Sequence, residues 1–239
     1  MTLLAICLTL SVLGAGPKVT LEQFESAGKR SYIQYVPERA VGSEAPLLIL
    51  LHGSGRDGRS LVEPWKELAD REGIVLAGLN ATIREEWELR NDGPQVLKDL
   101  VDAVRGRARV DPKRIYLFGH SAGAMHALML GLLESEYFAA VAVHAGALPE
   151  ETWSFTGMAE RKIPMAMWVG TEDSFFPVKM VKATQSALEA QGFTVPLRVI
   201  NGHTHNYYGR SRDINQDAWK FLLQHRLEHD PKFKEYAVR

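Results

Sequence analysis

A serine flanked by glycines, Gly119-His120-Ser121-Ala122-Gly123, follows a run rich in β-branched and aromatic residues (114–118, RIYLF) and precedes an apolar, helix-favouring run at 124–133. A Gly-x-Ser-x-Gly between strand and helix reads as a nucleophile elbow, a turn that forces the serine into strained backbone angles and needs glycine where the two backbones close on each other. Ser121 is therefore the candidate nucleophile. A serine hydroxyl is a weak attacker until a base removes its proton, so a histidine and an acid that orients it must be found downstream.

The acid is expected in Gly170-Thr171-Glu172-Asp173, the loop after a strand-like run at 165–169; Asp173 is the assignment and Glu172 the alternative. The base must come from Gly202-His203-Thr204-His205, after the last strand-like run, with either histidine available. Serine, acid and histidine at the ends of successive strands is one of the orders in which a triad is built. Attack on a carbonyl also needs two N–H donors for the oxyanion, each worth roughly 3 to 4 kcal/mol in the transition state. The Ala122 amide is one, and Ser54 in Leu51-His52-Gly53-Ser54-Gly55 supplies the other.

Competing chemistries lack parts. The stretch GSGRDG misses the Gly-Lys-Ser/Thr ending of a phosphate cradle, and the His-x-His pair has no third ligand at a recognisable spacing, so no metal is expected. His120, His203, Trp87, Trp153 and Phe175 lie in or beside loops after strands, where open α/β sheets form pockets, and are candidate substrate contacts. His126 and His144 are expected in the core or pocket wall.

These residues must be positioned by alternating elements. Strands are expected at 31–36 (half-exposed), 46–51 (fully buried), 73–79, 114–118, 138–143, 163–169 and 195–200, the last two starting after Pro164 and Pro196. Helices are expected at 60–70, with Ser60 as N-cap and Glu63 completing a capping box, and at 94–108, 124–133, 178–191 and 213–225. The alternation predicts an α/β fold, a mostly parallel sheet with helices on both faces. Residues 148–162 are long enough only for a short cap over the site, and the charged tail from 228 is expected at the periphery.

At 239 residues the chain suits one α/β domain. Lys and Arg number 28 against 29 Asp and Glu, a net charge of -1, which gives no basis for binding nucleic acid or an anionic membrane; a small neutral partner fits best. Cys7 is the only cysteine, so the chain can form no internal disulfide. Residues 3–13 are apolar and followed by Gly14, Ala15, Gly16 and Pro17, as in a secretory signal peptide, although no Lys or Arg precedes them. The expected organisation is a leader at 1–16 and one domain at 17–239, exported to the periplasm or medium without stable membrane insertion.

Taken together, LLHGSGRDG, RVDPKRIYLFGHSAGAMHAL, VGTEDSFFP and GHTHNYY resemble the α/β-hydrolase superfamily over about residues 31–223. The likeness is greatest to polyhydroxybutyrate-depolymerase and feruloyl-esterase-like esterases, with phospholipase/carboxylesterase and dienelactone-hydrolase relatives nearby. GHTHNYY is similar to the loop of S-formylglutathione hydrolase and esterase D type enzymes, which implies that His205 is the base. The resemblance implies hydrolysis of a carboxylic ester through an acyl-serine, without cofactor. Without the cysteines and binding modules of secreted depolymerases, a small or oligomeric soluble ester is the expected substrate. Two other readings use the same residues: a peptidase or amidase of the prolyl-oligopeptidase type, and a non-catalytic binding protein of this fold.

Overall fold

The computed structural model describes residues 17–235, so the expected leader at 1–16 lies outside the described residues. Eight strands form one sheet: β1 (Val19–Glu25), β2 (Lys29–Tyr35), β3 (Ala45–Leu51), β4 (Val75–Leu79), β5 (Val110–His120), β6 (Ala140–His144), β7 (Met165–Gly170) and β8 (Leu197–Ile200). Their order is β1-β2-β4-β3-β5-β6-β7-β8, antiparallel through β1, β2 and β4 and parallel from there on. This is the expected α/β architecture.

Among the described residues six α-helices complete it: α1 (Arg59–Glu72), α2 (Leu89–Asp92), α3 (Pro94–Arg105), α4 (Ala122–Leu133), α5 (Val178–Ala190) and α6 (Ser211–Leu222). The central strand β3 shows why both faces must be covered. Leu47, Ile49 and Leu51 pack on one side with residues of α3, α4 and α5, while Leu48 and Leu50 pack on the other with α1 and α6. All five are fully buried, and each such side chain contributes about 1.5 to 3 kcal/mol. Among the described residues no helix is long and apolar enough to cross a membrane.

α4 is buried nearly all round because Glu150–Met158, a short 3-10 helix in the expected cap segment, packs across it and α5. The tail beyond α6 runs past the start of β5 and the loop after α4, with Leu227 N–H donating to Lys113 O and Lys232 N–H to Glu136 O.

Three expectations need correction. β1 was not foreseen, and β2, expected half-exposed, is buried from Tyr32 to Tyr35 because β1 and β4 flank it while Phe24 and α1 cover its faces. Ser60 does not cap α1: Asp57, three residues earlier, accepts the Ser60 N–H at 3.1 Å, so the helix starts before Ser60. Glu63 pairs with Arg59 and Lys66 instead of closing a capping box.

Candidate active site

β5 ends in the elbow. Ser121 has φ 57° and ψ −122°, and its N–H is held by His144 O at 3.1 Å. A Cβ on Gly119 would sit 2.2 Å from Gly123 O, and one on Gly123 would sit 2.0 Å from Leu51 O. Only glycine lets α4 leave the strand at this angle, as the pentapeptide predicts.

The Ser121 hydroxyl donates to His205 Nε2 at 2.9 Å, and His205 Nδ1–H donates to Asp173 Oδ2 at 2.9 Å. Asp173 is fixed in turn, because its Oδ1 accepts the Phe175 and Phe176 N–H groups at 3.0 and 2.8 Å. Its side chain is fully buried, whereas that of His205 is 21% exposed, facing both acid and cavity. Glu172, the alternative acid, is exposed and meets the base loop through its main chain, N–H to His203 O at 2.9 Å.

Ser121 and His205 open onto a cavity of about 860 Å³ lined also by Gly53, Ser54, Arg56, His120, Phe175 and Tyr208. A Cβ on Gly53 would come within 3.3 Å of Ser121 Cβ, so the Ser54 turn lies against the nucleophile. Among the described residues neither the Ser54 nor the Ala122 N–H meets a protein acceptor, which leaves both for a ligand oxygen.

His52 shapes that turn, a role the sequence did not disclose. Its Nδ1–H donates to Gly53 O at 2.9 Å and its Nε2 accepts the Ala81 N–H at 3.2 Å, so the imidazole is neutral with its proton on Nδ1. Burial lowers its pKa, in keeping with the neutral form.

The expected substrate contacts divide. His120 and Phe175 line the cavity. Trp153 instead lines an adjoining apolar cleft of about 560 Å³ with Met125, Leu148, Phe176 and Met180, and Phe175 borders both spaces. Trp87 lines neither: its indole N–H donates to His52 O at 2.8 Å and its ring stacks on His126, making it a strut under the Ser54 turn. His203 is also withdrawn from the cavity, 4% exposed, with Nε2 at 3.0 Å from His144 Nε2. His203 and His205 thus turn to different partners, and among the described residues no group of three His, Cys, Asp or Glu could hold a metal ion.

Burial pushes several histidines down, His126 to about 4 and His120 to about 3, the nearby His205 adding to the effect on His120. In the unfolded chain they titrate near 6.5, so below that pH the unfolded state binds protons that the fold refuses. Stability should fall as pH drops from about 6.5 to about 4. Urea midpoints measured across that window test this; a flat profile would show that the buried imidazoles ionise in place.

An elbow serine hydrogen-bonded to a histidine that is bonded in turn to an aspartate, at the ends of parallel strands in an eight-stranded sheet, defines an α/β-hydrolase. The chain belongs to the phospholipase/carboxylesterase family, whose model matches residues 76–224. NocK, assigned as an esterase, of Nocardia uniformis subsp. tsuyamanensis is 34% identical over 116 residues, 44% of this chain and 33% of that protein. The poly(3-hydroxybutyrate) depolymerase of Ralstonia pickettii is 30% identical over 106 residues, 39% of this chain and 22% of that one. These matches span a third or less of the curated relatives' own length. The S-formylglutathione hydrolase of Agrobacterium tumefaciens superposes with a TM-score of 0.71 at 18% identity, over 89% of this chain and 96% of that one, a likeness of fold.

Proposed function

We propose that the protein hydrolyses carboxylic esters through an acyl-serine intermediate. The observation that carries this reading is the unbroken series Ser121 Oγ, His205, Asp173, opening on a cavity bordered by two unpaired N–H groups. His205 Nε2 takes the Ser121 proton as Oγ bonds to the ester carbonyl carbon, and the carbonyl electrons move onto the oxygen facing the Ser54 and Ala122 N–H groups. Collapse of that intermediate expels the alcohol, which takes the proton from His205. Water then repeats the sequence: His205 removes its proton, its oxygen bonds to the acyl carbon, and Ser121 leaves with the proton as the acid is released. Asp173 holds the imidazole with its proton on Nδ1 and stabilises the imidazolium of each step.

The cavity at Ser121 and the apolar cleft that shares Phe175 with it suggest how a substrate lies. The apolar cleft of Met125, Leu148, Trp153 and Phe176 suits an alkyl or aryl group, and the polar rim of Arg56, Thr204 and Asn206 suits a hydrophilic remainder. The relatives support ester hydrolysis, and the small or oligomeric soluble ester is our reading of these two spaces. The apolar segment at 3–13 supports export to the periplasm or medium.

Release of p-nitrophenol from esters of increasing acyl length tests the reading. Turnover is expected, rising from acetyl towards longer acyl groups; none from folded protein would defeat it. Phe175, 71% exposed on the wall between the two spaces, should tune that profile. Phe175→Ala is expected to lower kcat/KM about tenfold for the longest acyl groups and less than about twofold for acetyl, the range set by removing part of an apolar pocket. Equal losses along the series would remove the cleft from substrate recognition.

A further inference from the structure

His120 and His205 pack ring to ring at 5.0 Å beneath the elbow, yet His120 bonds elsewhere. Its Nδ1 lies 3.0 Å from His144 Nδ1, and His144 Nε2 lies 3.0 Å from His203 Nε2. His144 is fully buried, and the proposed mechanism uses none of these three imidazoles.

Proton accounting constrains the chain. Each N···N contact holds one proton, and a neutral imidazole carries one, so His144 must donate at one ring nitrogen and accept at the other. A further proton on His144 would leave it with no acceptor nitrogen. Burial pushes the pKa values of His120, His144 and His203 down, so the trio is a neutral strap, and neutrality suits its place: a lysine or arginine there would oppose the imidazolium that His205 must become.

What the strap joins is specific. His120 is next to Ser121, and His203 is two residues before His205. The main chain of His144 holds Ser121 N–H, and His203 O holds the N–H of Glu172, next to Asp173. Every turn that carries a triad member is gripped within two residues of it, and His144 is the only member bonded on both sides. We propose that His144 is a positioning residue that fixes the elbow and the base loop relative to each other, and so sets the separation of Ser121 Oγ and His205 Nε2. This rests on the reading of Ser121 and His205 as the reacting pair.

His144→Phe keeps an aromatic ring of similar shape and removes both hydrogen bonds. With a short-acyl p-nitrophenyl ester, kcat is expected to fall about 10- to 100-fold, the cost of a small misplacement of reacting groups, while KM stays within about twofold. His203→Phe should give a similar loss, and the double variant should be little worse than the poorer single one, because the strap is broken once. His144→Gln, whose amide still offers a donor and an acceptor, should recover part of kcat. A cooperatively folded His144→Phe with kcat within twofold of wild type overturns the proposal, as does multiplication of the two losses in the double variant. Where His144→Phe does not fold, His203→Gln and His203→Phe are compared instead, and equal wild-type kcat in both overturns it. A parallel Ser121→Ala separates the two levels: if it is inactive while the strap variants match wild type, only the positioning role falls, whereas an active Ser121→Ala removes the triad reading as well.

Discussion

Ser121→Ala is expected to lose at least about 10,000-fold in kcat on a p-nitrophenyl ester, the size of loss seen when a triad nucleophile is removed and only binding and oxyanion contacts remain. The fold should not notice. Alanine keeps the Cβ, so the strained φ of 57° is unchanged, and the main-chain bonds of residue 121 to His144, Ala124 and Met125 do not involve the hydroxyl. The thermal midpoint should stay within about 2 °C of wild type. Labelling by a fluorophosphonate should vanish with the activity. Residual turnover near the wild-type rate would assign the nucleophile to another residue.

Asp173→Asn should cost a comparable amount, about 10,000-fold in kcat with KM little changed, for a reason visible in the hydrogen bonds. Asp173 Oδ1 accepts two main-chain N–H groups, from Phe175 and Phe176. In the variant the amide oxygen must take that position, which turns the NH2 group towards His205 Nδ1. The imidazole can accept that bond only by moving its proton to Nε2, where it can no longer receive the proton of Ser121. Glu172→Gln, one residue away, is expected to stay within about twofold of wild type. Steady-state kinetics of the pair decide the assignment; a larger loss at Glu172 would reverse it.

The sequence discloses the parts of this site that depend on local chain geometry. A glycine-bounded serine between a strand and a helix, a Gly-rich turn after a buried strand, and an acid and a histidine each following a strand are all short-range patterns. The fold brings them together because parallel strands deliver their C-terminal ends to one edge. Trp87 and His203 went the other way, since a loop after a strand can fold under the site as readily as over it, and sequence position does not distinguish the two. His144 was legible only as a core or wall residue. Its partners come from the ends of β5 and the loop after β8, and their approach depends on strand order across the sheet rather than on any spacing along the chain. β1 escaped notice for a related reason: VTLEQFE alternates weakly, and the pairing from Val19 with Tyr35 to Glu25 with Lys29 makes it a strand.

The two outermost strands bear on how the molecule behaves in a crowded solution. An edge with unpaired main-chain groups can recruit a strand from a neighbouring molecule and begin aggregation, a risk that grows with its length and apolar character. At one end β8 is four residues long, follows Pro196, and carries Arg198 paired with Asp217. At the other, β1 is longer but presents Glu22, paired with Arg107, together with Gln23 and Glu25. Intermolecular sheet extension is disfavoured by brevity on one side and by charge on the other, and on the β8 side this protection also guards chemistry, because the loop that carries His205 leaves from that edge strand.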